Sequence, residues 1–155
     1  MPGIFVDGDA CPVKDEIYRI AQRHGVKVVV VSGGPLRVPA RHDIQHVRVK
    51  SSLDAADDWI AEHAGAEDIV VTADVPLAAR CLGRGARVIA PDGRLFTEDS
   101  IGGALASREL MDQLRQMGAA TGGPAPYARS DRTRFLAKLG EAIQAVLRKE
   151  PSRGL

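Results

Sequence analysis

Short apolar runs alternate with amphipathic segments over the first two thirds of the chain. The apolar runs, most of them rich in β-branched residues, predict strands at 4–7, 27–31, 44–49, 69–72 and 86–90. Helical spacing of apolar residues between them predicts helices at 14–24, 54–64 and 76–82. Because alternating strands and helices form right-handed βαβ units, the order predicts an α/β fold with a mainly parallel sheet covered by helices on both faces.

The last third of the chain has a helical pattern only. Apolar residues spaced for a helix occur over 98–117, and a second amphipathic helix is predicted over 131–149. A loop rich in glycine and proline is predicted between them, at 118–128. The pattern contains no internal repeat and no second core, so residues 1–150 are predicted to form a single domain, with 151–155 as a frayed tail.

Composition and charge narrow the class of protein. A net charge of +1 gives no overall field that would draw the chain onto nucleic acid or a membrane surface. The two cysteines cannot form a disulfide framework or a four-cysteine zinc site. No segment approaches the roughly 20 apolar residues of a membrane helix, and the start of the chain lacks the features of a signal peptide. We therefore expect a cytoplasmic protein that does not associate with membranes.

Two carboxylates follow the first predicted strand. In an extended strand residues i and i+2 share a face, so Asp7 and Asp9 could point the same way at its carboxyl end. Two such acids repel each other unless a cation lies between them, and Mg²⁺ and Mn²⁺ prefer oxygen ligands. A turn at Asp7-Gly8, with Asp9 capping the following helix, explains the same residues without a metal.

Three further acids are predicted near the same sheet edge. Asp74 follows the strand at 69–72, and it could also cap the helix that Pro76 opens. Asp57 lies at the border of the apolar face of the 54–64 helix, and Asp54 lies at the predicted start of that helix. Acids at a helix start are also favoured by the helix dipole alone.

Arginines accompany the acid that heads the last predicted helix. Asp131 lies between Arg129 and Arg132, which suggests either a helix cap with exposed bases or a fourth acid beside phosphate-binding groups. Arg37 follows the glycine-containing loop after the second strand and is a further candidate to bind phosphate. Neither this loop nor the one at 122–124 matches a Walker or dinucleotide-binding fingerprint.

Together these motifs resemble the YaiI/YqxD family of bacterial proteins of unknown function. The resemblance runs from residue 4 to about residue 145 and is carried by the segments 6–13, 36–39, 54–57, 71–78, 121–124 and 131–132. The family is usually grouped with PIN-like proteins, many of which are ribonucleases that depend on Mg²⁺ or Mn²⁺. The resemblance implies a three-layer, PIN-like (Rossmann-like) α/β fold.

The resemblance also assigns roles to the acids. It places Asp7 at the first acidic position of the PIN-like site, Asp57 or Asp54 at the second, Asp74 at the third and Asp131 at a fourth. The first hypothesis is therefore a nuclease that cleaves RNA rather than DNA. Mg²⁺ or Mn²⁺ would be held by Asp7, Asp57 and Asp74, with Asp9 as a direct or supporting ligand. Phosphates would be bound by Arg37, Arg129 and Arg132.

Two other hypotheses remain open at this stage. One is a phosphatase of the haloacid-dehalogenase type, with Asp7 as nucleophile, Asp9 as general acid and base, and Lys50 as its lysine. The other is a non-catalytic module that binds nucleic acid or a protein partner, which suits the near-neutral charge. The sequence neither requires nor excludes a homo-oligomer.

Overall fold

Six strands form one sheet in the computed structural model of the chain, which describes residues 2–118 and 126–149. In chain order they are β1 Gly3–Asp7, β2 Lys27–Ser32, β3 Ile44–Arg48, β4 Ile69–Val71, β5 Arg87–Ile89 and β6 Leu95–Phe96. Their order across the sheet is β3-β2-β1-β4-β5-β6. Strands β1 to β5 are parallel, and β6 pairs antiparallel with β5. The predicted mainly parallel sheet is confirmed.

Helices cover both faces of this sheet. The α-helices of the described residues are α1 Lys14–His24, α2 Ala55–His63, α3 Val75–Gly83, α4 Glu98–Gln116 and α5 Arg129–Leu147. Side chains alternate along β1, so that Ile4 and Val6 pack with α1 and α5. Phe5 faces the other way and packs with α2 and α3, against which α4 lies. The result is the expected three-layer α/β arrangement, with one apolar core on each side of the sheet.

The predicted strands and helices form with small shifts at their ends. One strand was missed: β6 has only two residues, too few to show a period, and it returns along β5 after a turn at Gly93, where φ is +91°. Helix α5 begins at Arg129, so Asp131 is its third residue rather than its cap. Most of the predicted 118–128 loop and the predicted frayed tail, 151–155, lie outside the described residues.

The strand order changes direction between β1 and β4. Strands β2 and β3 lie on one side of β1, whereas β4, β5 and β6 lie on the other. In open parallel sheets, ligands bind beyond the carboxyl ends of the strands at the point where the order reverses. The segments that follow Asp7 and Val71 are therefore where a ligand site is expected. No helix in the described part of the chain is long and apolar enough to cross a membrane.

Candidate functional site

Asp7 lies at the edge of the sheet where the strand order changes direction, between β1 and β4. It is the last residue of β1 and shares the face of Phe5, which is the face covered by α2 and α3. Its Oδ2 accepts a hydrogen bond of 3.1 Å from the Thr72 hydroxyl, just beyond β4. The same hydroxyl oxygen accepts a bond of 3.0 Å from the Asp74 backbone N–H. The buried Thr72 side chain therefore ties together the carboxyl ends of β1 and β4.

Asp74 is fixed as the N-cap of α3. Its Oδ1 accepts a hydrogen bond of 2.9 Å from the Leu77 N–H, and Pro76 lies in the first turn, where its lack of an N–H does no harm. The predicted capping role is thus confirmed. Capping uses one carboxylate oxygen, and Oδ2 makes no hydrogen bond to the described residues. Asp74 can therefore cap the helix and still offer an oxygen to a ligand.

Asp57 brings a third carboxylate towards the other two. It is the third residue of α2 and is partly buried, yet it makes no hydrogen bond or ion pair within the described residues. Burial raises its pKa to about 6, and the charges of Asp74, Asp7 and Asp54 add to the effect. The pKa of Asp7 is also raised, first by burial and then by Asp9 and Asp74, although the Thr72 hydrogen bond opposes the change. The acids therefore lie close enough to repel one another.

A cavity of about 420 Å³ opens beside these acids. It is lined by Asp7, Thr72, Ala73, Asp74, Val75, Pro91 and Arg108. We call it the crevice, because it lies at the strand-order reversal between β1 and β4. Two of its lining groups are carboxylates and one is a guanidinium supplied by α4. Its walls thus combine acidic oxygen ligands with a base that suits a phosphate.

The donor set suits a hard divalent cation, although it is not a closed cage. Within residues 2–118 and 126–149, no three His, Cys, Asp or Glu side chains are grouped so as to hold a metal ion by themselves. Mg²⁺ usually keeps several waters and binds through one or two carboxylates together with substrate phosphates. Asp7 and Asp74 supply that number of carboxylates on the wall of the crevice.

Asp9 lies beyond the end of β1, so the strand geometry that predicted its pairing with Asp7 does not apply, although its charge still raises the pKa of Asp7. The strand ends at Asp7, and Gly8–Ala10 form a single 3-10 turn. A Cβ at Gly8 would lie only 2.8 Å from Val30 Cγ1, so the chain leaves β1 pressed against β2. This turn directs the exposed Asp9 carboxylate towards the loop after β2, where Oδ2 accepts a bond of 3.0 Å from the Gly33 N–H.

The other two predicted acids, Asp54 and Asp131, are not among the residues that line the crevice. Asp54 is exposed at the N-cap of α2, and its side chain makes no capping hydrogen bond. The Oδ2 atom of Asp131 accepts a bond of 2.8 Å from the Ala128 N–H, and its Oδ1 lies 3.6 Å from the Arg134 guanidinium. No described contact joins Asp131 to Asp7 or Asp74. Metal binding by Asp54 or Asp131 stays a prediction.

None of the three arginines predicted to bind phosphate lines the crevice. Arg37 and Arg129 are exposed on the loop after β2 and at the start of α5. Arg132 Nε lies 3.5 Å from the Glu16 carboxylate on α1. If these residues bind a substrate, they do so beyond the lining of the cavity.

Sequence reasoning missed two residues of the site, Thr72 and Arg108. Thr72 had a detectable signal, because alternation along the strand at 69–72 places it on the face of Val70, next to Asp7 on the neighbouring strand. Arg108 had none. It lies more than 30 residues beyond Asp74 in sequence, and only the packing of α4 against α3 brings it to the crevice.

Comparison with known proteins gives a consistent family but no activity. A profile described as "Uncharacterized BCR, YaiI/YqxD family" matches residues 5–145. A UPF0178 protein of Bradyrhizobium sp. is 55% identical over 150 residues, which covers 97% of this chain and 92% of the relative. A UPF0178 protein of Nitrobacter winogradskyi is 57% identical over 145 residues, covering 94% and 92%.

A third relative comes from a different genus, and the agreement again spans most of both chains. The UPF0178 protein of Rhodospirillum rubrum is 55% identical over 146 residues, covering 94% of this chain and 97% of the relative. No solved structure matches the chain. The matches extend from β1 to α5 and so include every acid of the crevice. The chain belongs to the YaiI/YqxD family of uncharacterised bacterial proteins.

Proposed function

We propose that the protein is a nuclease that hydrolyses phosphodiester bonds with Mg²⁺ or Mn²⁺, and that RNA is its substrate rather than DNA. The observation that supports this function is the position of Asp7 and Asp74 on the wall of the crevice at the strand-order reversal, near enough to Asp57 for their charges to raise its pKa. The charges of Asp7 and Asp74 raise the pKa of Asp57, and the charge of Asp74 raises that of Asp7, where a ligand is expected to bind. The preference for RNA rests on the resemblance to PIN-like ribonucleases.

The local charge balance favours a cation at these acids. The Arg80 charge lowers the pKa of Asp57 only as the last of five influences, and the Arg80 guanidinium is paired at 2.7 Å with Asp58. Asp7 has the neutral Thr72 hydroxyl as its side-chain partner. Burial of carboxylates without a cationic partner costs stability unless a proton or a cation neutralises them. A divalent ion with oxygen ligands would do so at neutral pH.

Each residue of the site would have a distinct task. A bound metal ion would supply a water of lowered pKa and neutralise charge that develops on the phosphoryl group. Thr72 holds the Asp7 carboxylate in place, and the start of α3 holds Asp74. Asp57, which has no hydrogen bond in the described structure, is left to bind or orient a water. Buried supporting bonds of this kind keep ligands in position.

The phosphatase hypothesis receives less support than the nuclease. It needs Asp9 as an acid and base beside a nucleophilic Asp7. The Asp9 carboxylate instead accepts a hydrogen bond from the Gly33 N–H, on the β2 side of β1. It does not line the crevice into which Asp7 points. A phosphoryl group trapped on Asp7 would favour the phosphatase over the nuclease.

The test is a titration with Mg²⁺ and Mn²⁺ on a mixed panel of single-stranded RNA, double-stranded RNA and DNA. The wild type is compared with Asp7→Asn, which keeps an oxygen acceptor for Thr72, and with the control Asp58→Asn. Asp58 is 52% exposed and paired with Arg80, so its loss should change cleavage by less than about threefold. The Asp7→Asn variant should lose metal-dependent cleavage by roughly a thousandfold.

Three outcomes would contradict the proposal. Undiminished cleavage by a folded Asp7→Asn variant, checked by circular dichroism, would remove Asp7 from the mechanism. Salt-dependent RNA binding without cleavage under either metal would favour the non-catalytic module. Equal losses in the Asp7→Asn and Asp58→Asn variants would show a general effect of charge rather than a metal site.

A further inference from the structure

The crevice has a basic residue whose charge is not taken up by a close partner. Arg108 lies on α4 and is the single Lys, Arg or His in the described lining. Its guanidinium is 3.5 Å from Asp112 Oδ2, at the outer limit of a hydrogen bond, and the side chain is 50% exposed. Asp112 has a closer partner in Arg115, at 2.7 Å. Arg108 is therefore only weakly tethered.

A role in helix stability does not account for the position of Arg108. An exposed pair one turn apart on a helix contributes little to stability, and less when the geometry is poor. The Arg115–Asp112 pair already supplies such a contact on the same helix. Arg108 is also not buried in the packing of α4, because half of its side chain is exposed. The remaining distinctive feature of Arg108 is its place on the crevice wall.

The opposite charges around the crevice suit a phosphodiester. Asp7 and Asp74 supply oxygen ligands for a cation, whereas Arg108 supplies a planar group with five N–H donors that stays charged at all working pH values. Arginine forms two parallel hydrogen bonds to the oxygens of a phosphate. The volume of about 420 Å³ falls within the usual range for a small-ligand site and can admit a phosphate with its flanking sugar.

We propose that Arg108 binds a phosphate of the nucleic-acid strand next to the bond that is cleaved, from the α4 wall of the crevice. This inference rests on the proposed nuclease function and adds a residue to it. Binding exchanges the weak contact with Asp112 for two charge-assisted hydrogen bonds to the phosphate. Helix α4 thereby sets where the strand enters relative to the acids on β1 and α3. Arg108 is a positioning residue for the substrate rather than a ligand of the metal.

The experiment compares wild type, Arg108→Ala, Arg108→Lys and Arg115→Ala. Arg115 is the matched control, because it belongs to the same Asp112 contact but does not line the crevice. Binding of a short fluorescein-labelled single-stranded RNA is measured by anisotropy in EDTA at several salt concentrations. Loss of Arg108 should weaken RNA binding about tenfold. It should also make the slope of the log association constant against log salt concentration less negative by about 0.7, the value for one single-strand phosphate.

Cleavage kinetics provide a second readout. The Arg108→Ala variant should raise KM about tenfold with a smaller change in kcat, as expected when binding rather than chemistry is lost. The Arg108→Lys variant should retain the salt slope and lose part of the affinity, because lysine keeps the charge without the paired geometry. The Arg115→Ala variant should behave like the wild type in both assays.

The two proposals fail in different ways. If the wild type cleaves RNA and Arg108→Ala binds and cleaves equally well, the role of Arg108 is overturned while the nuclease stands. Equal losses in Arg108→Ala and Arg115→Ala would likewise overturn it, since the effect would come from the helix. If the wild type cleaves nothing, the nuclease proposal falls. The salt slope in EDTA then decides separately whether Arg108 contacts phosphate.

Discussion

The two acids of Asp7-Gly8-Asp9 accept hydrogen bonds from groups on opposite sides of β1, and they differ in burial. On the β2 side, Asp9 accepts the Gly33 N–H, and Ser51 donates to the Gly33 carbonyl at 2.6 Å. On the β4 side, Asp7 accepts from the Thr72 hydroxyl and Asp74 from the Leu77 N–H, whereas the partly buried Asp57 makes no hydrogen bond within the described residues.

This comparison shows which acids are candidates for ligand binding. On the β2 side, the hydrogen bonds of Asp9 and Ser51 to Gly33 join the turn after β1 to the loop after β2, which gives the exposed Asp9 a structural role. On the β4 side, partly buried carboxylates face one another and a cavity, an arrangement that costs stability without a cation. Spacing in sequence alone did not separate the two acids. Burial does, because Asp7 is partly buried and lines the crevice, whereas Asp9 is exposed and does not line it.

The largest expected contrast is between Asp74→Asn and Asp9→Asn. Asparagine caps helices about as well as aspartate, so Asp74→Asn removes the charge while keeping the cap of α3. If the proposed metal chemistry is correct, Asp74→Asn should lower metal-dependent RNA cleavage by roughly a hundredfold to a thousandfold, and Asp9→Asn by less than about tenfold. Initial rates at saturating Mn²⁺ provide the measurement. A larger loss in Asp9→Asn would reverse the comparison.

The part of this contrast that could be predicted from the sequence is the position of each acid along the chain. Short apolar runs, most of them β-branched, located the strands, and parallel pairing placed Asp7 and Asp74 at one edge. The direction of Asp9 could not be predicted, because it depends on the contact of Gly8 with Val30 on a neighbouring strand. Arg108 depends on a helix packing that no local pattern encodes.

Substitution of Thr72 tests the hydrogen bonds that hold the β4 side together. Thr72→Val removes both the donor to Asp7 and the acceptor for the Asp74 N–H, whereas Thr72→Ser keeps them. Loss of a residue that orients a metal ligand typically weakens metal binding about 10-fold to 100-fold. We expect this loss of Mn²⁺ affinity in Thr72→Val, measured by calorimetric titration, and near wild-type affinity in Thr72→Ser. Equal affinities in the two variants would show that the hydroxyl does not support the site.

Gly8 lies between Asp7 and Asp9, at the start of the 3-10 turn, and its substitution should destabilise that turn. An alanine Cβ would lie 2.8 Å from Val30 Cγ1 and 3.2 Å from the Val31 carbonyl oxygen. Overpacking of this kind costs about 1–3 kcal/mol in the free energy of unfolding. The control is Gly34→Ala, because a Cβ there meets nothing within 4 Å and should change stability by less than about 1 kcal/mol. Urea unfolding monitored by circular dichroism distinguishes the two variants.

The smallest expected effect is a pH dependence of the free energy of unfolding, caused by Asp57. Its pKa is about 6 in the folded state against a usual value of 3.8, chiefly because of burial and then of the charges of Asp74, Asp7 and Asp54. The folded chain therefore holds a proton that the unfolded chain releases between about pH 4 and pH 6. Raising the pH through this window lowers the stability of the wild type.

In the variant Asp57→Asn the side chain at position 57 has no proton to release. Its stability should therefore not fall with rising pH as that of the wild type does. Measured by urea unfolding in EDTA, its stability relative to wild type should rise by about 1 kcal/mol from pH 4 to pH 7, after allowance for solvent screening of a partly exposed group. Addition of Mg²⁺ at neutral pH should then favour the wild type, because the ion binds the charged carboxylates of the folded state. A difference in stability that stays constant across this pH range would mean that Asp57 is not buried among the acids of the β4 side.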